Sequence, residues 1–151
     1  DKNPRRLAAM PAALERMGVS DRVQALASDG LTALAPKAAP FDGALVDAPC
    51  TNTGVLAARP GARWRFGPTN LAQLVTLQAE LLDQAARQVS KSGRLVFSTC
   101  SLEPEEGPQG AQAFLARNPG WALAEEHLDL PSADHAGPLD GGYRALLRRE
   151  G

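Results

Sequence analysis

The feature that most constrains this chain is that each of its two cysteines follows a short apolar run. Residues 44–47 run into Pro49-Cys50-Thr51, and residues 93–99 run into Cys100-Ser101. A short apolar run that stops at polar residues is typical of a buried strand. In open α/β sheets, ligands bind at the carboxyl ends of the strands. We therefore predict that Cys50 and Cys100 lie just past two strand ends and face one site.

The rest of the chain alternates between helical and extended patterns. The spacing of apolar residues predicts helices over residues 5–17, with Pro11 inside, over residues 70–93, and over residues 103–117. Strands are predicted at residues 23–27, 44–47, 95–98, 121–128 and 142–149. This order predicts an α/β fold with a mostly parallel sheet and an antiparallel hairpin at one edge, where the last strand lies. Residues 48–68 and 131–139 are predicted to be loops.

Composition excludes several classes of protein. The chain has 151 residues, which suits one domain with its own core, and its net charge of −1 gives no overall attraction for nucleic acid. Its two cysteines and two histidines lack the spacing of a metal site, so no metal is expected. No run is long enough to span a membrane. We expect a cytoplasmic protein with reduced cysteines.

The two thiols suggest covalent chemistry. A lone cysteine is usually a small buried hydrophobe, and that alternative applies to each one. Two thiols facing one pocket instead suit a reaction that forms a covalent adduct and then releases it. Asp47, just before Pro49, can hold or protonate a ring nitrogen of a substrate if it is buried, or it can be an ordinary turn residue.

Other candidate residues lie at a strand end and in a loop. Asp1 follows a presumed strand, where nucleotide-binding folds place a ribose-binding acid, and Asp29 is a turn residue or a contact to adenine. The loop residues Arg63, Trp64 and Arg65 can bind phosphate and stack on unpaired bases. The alternative is a solvated loop with Trp64 packed on the core.

Together these motifs resemble the RNA cytosine-5 methyltransferases of the Nop/Sun family, which modify ribosomal RNA in bacteria. The resemblance covers nearly the whole chain. The most specific parts of the resemblance are Asp47-Ala48-Pro49-Cys50-Thr51-Asn52-Thr53-Gly54-Val55-Leu56, Arg63-Trp64-Arg65, Ser98-Thr99-Cys100-Ser101-Leu102-Glu103-Pro104-Glu105-Glu106 and Asp140-Gly141-Gly142-Tyr143-Arg144-Ala145. Gln78 and the pair Leu81-Leu82 also match the family's pattern.

The resemblance implies a fold, a cofactor and a mechanism. The fold is a Rossmann-like class I methyltransferase sheet, the cofactor is S-adenosyl-L-methionine, and the partner is RNA, most simply rRNA. Cys100 is the implied nucleophile on carbon 6 of cytosine, and Cys50 assists release of the product. Asp47 contacts the cytosine ring and lies beside the cofactor.

The remaining roles also come from the resemblance. Asp1 and Asp29 are the implied cofactor-binding acids, and Pro49 lies with the Arg63–Arg65 loop on the substrate side. The family's cofactor domain begins with a strand and a glycine-rich loop that do not occur before Asp1.

We therefore expect residues 1–151 to be a partial catalytic domain that binds cofactor poorly when isolated. One alternative is a non-catalytic RNA-binding remnant of such an enzyme. Another is a small-molecule methyltransferase whose cysteines are incidental.

Overall fold

The structure, a computed structural model, describes residue 1 and residues 3–27, 40–134 and 137–150. The chain divides into two compact units, Asp1–Pro40 and Phe41–Gly151. The helical turn predicted near residues 31–35 and the candidate Asp29 lie outside the described residues.

The described part of the first unit contains one helix, α1 (Pro4–Arg16). The side chain of Asn3 caps its start by accepting hydrogen bonds from the amides of Arg5 and Arg6. Pro11 lies inside the helix without ending it, as the predicted helix requires. The strand predicted at residues 23–27 is wrong, because these residues form no strand in the structure. A strand needs a ladder of backbone hydrogen bonds to a neighbour, whereas the contact described here is a single bond of 3.0 Å from the Asp1 amino group to the Leu26 carbonyl.

The second unit is built on a four-stranded mixed sheet and a separate two-stranded hairpin. The strands are β1 (Phe41–Asp47), β2 (Val89–Thr99), β3 (Trp121–Asp129), β4 (Ser132–Asp134), β5 (Gly137–Leu139) and β6 (Gly142–Arg149). The four-stranded sheet has the order β1-β2-β6-β3. β1 and β2 are parallel, whereas β6 is antiparallel to both β2 and β3. The short strands β4 and β5 form the hairpin, in the segment that we predicted to be a loop.

The antiparallel character of the C-terminal strand was predicted correctly, but its position was not. β6 lies between β2 and β3, so β3 is the outermost strand on that side. β6 is hydrogen-bonded on both sides, to β2 and to β3, so its backbone donors and acceptors are paired along both of its edges. Alternate residues of β6, Tyr143, Ala145 and Leu147, are buried in the core.

Two helices and three short 3₁₀ turns complete the unit. α2 (Pro68–Gln88) packs against β1 and β2, and α3 (Pro108–Arg117) packs against β3 and β6. The 3₁₀ turns are Thr53–Val55, Pro60–Trp64 and Pro104–Glu106.

Two predicted helix boundaries were wrong by about one helical turn or more. α2 ends at Gln88, so Lys91 and Gly93 belong to β2 instead of the end of the helix. The helix predicted from residue 103 is interrupted at Gly107, and α3 begins at Pro108, where a proline suits the first turn.

The core lies between the two helices and one face of the sheet. Phe97 packs edge-on against Tyr143, with ring centroids 6.1 Å apart, and Phe114 packs edge-on against Trp121 at 5.7 Å. Other fully buried members are Leu82, Val89, Leu95 and Leu147. Leu45 of β1 is 69% exposed, so the other face of this strand is uncovered.

Within the part of the chain that the structure describes, no helix is both long and apolar enough to cross a membrane.

Candidate active site at two cysteines

The two cysteines come together because they follow neighbouring parallel strands. Asp47 of β1 is in register with Ser98 of β2, and the pairing extends to a hydrogen bond of 2.9 Å from the Ala48 amide to the Ser98 carbonyl. The chain then delivers one cysteine from each strand to the same place. The Sγ atoms of Cys50 and Cys100 lie 3.2 Å apart, and both thiols are free.

The two thiols differ in environment. Cys50 is buried, whereas Cys100 is partly exposed. Burial and the hydrogen bond with Cys100 raise the pKa of Cys50 from 9.0 to about 12. Cys50 is therefore a neutral thiol near pH 7, and Cys100 is the sulfur that a reagent can reach.

Asn52 holds the two cysteine segments in contact. Its side-chain amide donates to the Cys50 carbonyl at 2.6 Å, and its Oδ1 accepts from the Cys100 thiol at 3.3 Å. The same oxygen accepts from the guanidinium of Arg59 at 3.1 Å. Asn52 has a φ of 64°, in the left-handed region that asparagine tolerates better than most residues. The sequence marked Asn52 as part of a turn and Arg59 as part of the basic loop, and did not predict that either one contacts the cysteine segments.

A buried carboxylate lies beneath the site. Glu106 is 0% exposed and accepts hydrogen bonds from the amide and the hydroxyl of Thr51. It also accepts from Gln78 Nε2 at 3.0 Å. The Thr51 hydroxyl in turn lies 3.1 Å from that of Ser101. In sequence Glu106 was one of several acids near a predicted helix start, and nothing marked it as buried.

Gly54 allows the two cysteine segments to approach β6. Its amide donates to the Cys100 carbonyl at 3.0 Å, and its carbonyl accepts from the Gly141 amide at 2.7 Å. A Cβ atom at this position would lie 2.4 Å from the Gly141 carbonyl oxygen. Only glycine therefore fits here without a backbone shift.

Asp47 and Pro49 lie beside the cysteines and are exposed. The burial that we considered for Asp47 is therefore wrong. Among the described residues its carboxylate forms no ion pair, so it can accept hydrogen bonds from a ligand at the carboxyl end of β1.

The basic aromatic loop projects into solvent. Trp64 is 83% exposed, so the alternative in which it packs on the core is wrong. The Arg63 guanidinium lies 5.9 Å from the centre of the Trp64 ring and also donates to the Pro60 carbonyl at 3.0 Å. Arg65 is exposed as well. An exposed ring flanked by cations can stack on an unpaired base.

The candidate cofactor acids belong to the first unit, apart from Asp47. The Asp1 carboxylate accepts from the Asn3 amide at 2.8 Å and lies 3.5 Å from Arg6. A carboxylate with these two partners still has lone pairs for ribose hydroxyls, so Asp1 fits the predicted cofactor. Asp47 fits it too, as an exposed acid at a strand end. No cluster of metal-binding side chains occurs within the described ranges.

Comparison with known proteins identifies relatives over most of the chain. Residues 1–138 match the family described as 16S rRNA methyltransferase RsmB/F. The "Ribosomal RNA small subunit methyltransferase B" of Thermus thermophilus is 41% identical over 113 residues, covering 70% of this chain and 28% of that protein. The Klebsiella pneumoniae (strain 342) protein of the same name is 44% identical over 119 residues, covering 72% of this chain and 26% of that protein. The chain thus spans about a quarter of the length of these relatives.

A solved structure confirms the predicted fold class. NSun6 from Pyrococcus horikoshii, solved with SFG, matches with a TM-score of 0.75 and 27% identity, over 99% of this chain and 40% of that one. The shared fold is the Rossmann-like methyltransferase fold, as predicted. The cofactor of the matched methyltransferase family is S-adenosyl-L-methionine, also as predicted.

Proposed function

The chain belongs to the RsmB/F family of 16S rRNA methyltransferases, and from this premise we propose a specific reaction. The protein transfers a methyl group from S-adenosyl-L-methionine to carbon 5 of a cytosine in RNA, with rRNA as the substrate, through a covalent cysteine adduct. The observation that supports this proposal is the pair of free thiols 3.2 Å apart at the carboxyl ends of two parallel strands.

Cys100 is the proposed nucleophile, because it is the more accessible of the two thiols. Its thiolate bonds to carbon 6 of cytosine, and the electrons of the 5,6 double bond make carbon 5 nucleophilic. Bound S-adenosyl-L-methionine supplies the methyl group as an electrophile. Asp47, exposed beside the cysteines, hydrogen-bonds the ring and stabilises the form protonated at N3, so the electrons that the attack pushes into the ring neutralise that positive charge.

Cys50 is proposed to release the product. In the free protein, burial raises the pKa of Cys50 most, and the hydrogen bond and charge of Cys100 raise it further. The charge contribution disappears once the Cys100 sulfur is a neutral thioether, so the pKa of Cys50 is lower in the adduct than in the free protein, although burial still raises it. Cys50 can take the proton from methylated carbon 5. The electron pair left behind restores the 5,6 double bond and expels Cys100 as a thiolate.

The exposed loop and the acids are proposed to bind the two substrates. Pro49, Arg63, Trp64 and Arg65 contact RNA, with Trp64 stacking on an unpaired base next to the target. Asp1, Asp29 and Asp47 bind the cofactor.

The test is covalent trapping with the protein encoded by the full reading frame. Cys50→Ala and Cys100→Ala variants are incubated with 16S rRNA and S-adenosyl-L-methionine and examined on a denaturing gel. We expect Cys50→Ala to accumulate a protein–RNA adduct and Cys100→Ala to form none. An adduct with Cys100→Ala and none with Cys50→Ala would make Cys50 the nucleophile and Cys100 the residue that releases the product.

A non-catalytic RNA-binding protein is the second candidate, and the exposed Trp64 loop favours it. Under this second candidate function, neither variant forms an adduct, and the affinity for RNA is the same with and without each cysteine. A small-molecule methyltransferase would instead remain active without either cysteine.

A further inference from the structure

The two peptide groups that flank Cys50 are both hydrogen-bonded to buried side chains. The carbonyl of Pro49 accepts from Gln78 Nε2 at 2.9 Å. The amide of Thr51 donates to both carboxylate oxygens of Glu106 at 3.1 Å. Gln78 and Glu106 are themselves joined, because the same Nε2 donates to Glu106. The backbone on both sides of Cys50 is thus fixed by one buried pair.

The same glutamate is connected to the Cys100 segment. Its backbone carbonyl accepts from the Thr99 hydroxyl at 3.1 Å, and Thr99 directly precedes Cys100. The Thr51 hydroxyl, which contacts the Glu106 carboxylate, also reaches Ser101, the residue after Cys100. Glu106 therefore contacts both cysteine segments without contacting either sulfur.

The arrangement leaves one buried polar atom without a hydrogen-bond partner among the described residues. Gln78 Oε1 finds no hydrogen-bond partner in the part of the chain that the structure describes. Turning the amide over would direct this oxygen at the Pro49 carbonyl and the Glu106 carboxylate, two acceptors. The orientation that holds Cys50 is therefore favoured even though it leaves the oxygen unpaired.

We propose that Glu106 is a positioning residue that sets the distance between the Cys50 and Cys100 sulfurs. The consequence for methyl transfer rests on the proposed function, because it requires that both thiols act on one substrate. The distance itself does not depend on that function, and it can be measured chemically.

The decisive variant is Glu106→Gln. It replaces one oxygen acceptor with an NH₂ group that faces the Thr51 amide or the Gln78 NH₂, both donors. Glu105→Gln is the matched control, because Glu105 is the adjacent acid with the same chemistry and is exposed.

The readout is the equilibrium between the two thiols and a Cys50–Cys100 disulfide in a glutathione buffer. Oxidised glutathione accepts the electrons, so one protein disulfide forms as two reduced glutathiones are released. The constant reports how often the sulfurs meet, since a disulfide needs them about 2 Å apart. It is measured on full-length protein whose folded fraction is checked by circular dichroism.

We expect Glu106→Gln to lower this constant by about tenfold, the effect of losing a hydrogen bond to a charged group. Glu105→Gln should leave it unchanged. Equal constants for folded Glu106→Gln and Glu105→Gln would overturn the proposal.

If Glu106→Gln does not fold, the same equilibrium constant measured on Thr51→Val and Thr51→Ser tests the proposal. Val loses the hydroxyl that contacts Glu106 and should lower the constant, whereas Ser keeps it and should restore the constant. Equal values for Val and Ser would overturn the proposal.

Activity provides a second readout. Glu106→Gln should lower kcat with KM for RNA unchanged, because it displaces the reacting groups and leaves the exposed RNA loop intact. A raised KM with unchanged kcat would count against positioning. If the disulfide constant falls in Glu106→Gln but the wild-type protein methylates no RNA, the proposed function fails while the positioning role stands.

Discussion

The Sγ atom of Cys50 lies 3.2 Å from that of Cys100, although the two residues are fifty positions apart in sequence. Cys50 is buried and Cys100 is partly exposed. This asymmetry separates a thiol kept protonated from a thiol that a substrate can reach, and it leads directly to measurable differences in reactivity.

Alkylation should distinguish the two cysteines. Because burial and Cys100 raise the pKa of Cys50 to about 12, iodoacetamide at pH 8 should label Cys100 and spare Cys50. In Cys100→Ala the hydrogen bond and charge that contribute to this raised pKa are absent, so labelling of Cys50 should begin at lower pH. Mass spectrometry of peptides after native labelling measures both. Equal labelling of the two cysteines at pH 8 would contradict the assignment.

Stability should decrease in alkaline solution. The pKa of Cys50 rises from 9.0 to about 12 on folding, so between these values the folded protein keeps a proton that the unfolded chain has lost. The contribution is complete below pH 9 and is lost as pH rises toward 12. Urea unfolding between pH 8 and pH 11 should show this decrease, and a Cys50→Ala variant should show a shallower one. Parallel curves for the two proteins would exclude Cys50 as the cause.

Gly54→Ala should destabilise the protein. The new Cβ would lie 2.4 Å from the Gly141 carbonyl oxygen and 3.1 Å from that of Cys100, and all these neighbours are backbone atoms. We expect a loss of about 2 kcal/mol in the free energy of unfolding, typical of overpacking. Gly61→Ala is the control, because nothing lies within 4 Å of a Cβ there. Urea unfolding measures both, and equal stabilities would show that the loops can separate freely.

Asn52 separates a backbone requirement from a side-chain requirement. Both Asn52→Ala and Asn52→Gly lose the contacts to Cys50 and Cys100. Of these two variants, only the glycine adopts a φ of 64° without strain. Asn52→Ala should therefore be about 1 kcal/mol less stable than Asn52→Gly in urea unfolding.

Asn118→Ala and Asn118→Gly are the control pair, because at a φ of −126° alanine and glycine both adopt the backbone conformation without strain. If alanine is as stable as glycine at position 52, the left-handed backbone conformation is wrong.

Trp64→Ala should weaken RNA binding without changing stability. The side chain is 83% exposed, so the free energy of unfolding should change by less than about 0.5 kcal/mol. Loss of one base stack should weaken binding by about tenfold. Fluorescence anisotropy with labelled rRNA fragments measures affinity. Leu128→Ala, an exposed apolar residue on β3, is the control. Unchanged affinity in Trp64→Ala would remove this loop from the RNA-binding surface.

The sequence by itself determined the local features of this protein. Each cysteine motif combines an apolar run with a polar end, and this short pattern was enough to place both residues past strand ends. The long helix α2 was predicted from its apolar stripe, although its C-terminal boundary was wrong because residues 89–93 extend β2. The order of helices and strands predicted an α/β fold. The resemblance to the methyltransferase family, which depended on the same short motifs, implied the Rossmann-like methyltransferase fold.

Only the tertiary structure decided which distant groups meet. β6 lies inside the sheet, between β2 and β3, and an alternating pattern does not say how many neighbours a strand has. Glu106 looks like any acid at a helix start until the fold brings Thr51 and Gln78 to it. Trp64 is equally suited to a core or a surface by sequence. Hydrophobic periodicity fixes the faces of single elements, whereas hydrogen-bond partners and burial depend on contacts between elements far apart in the chain.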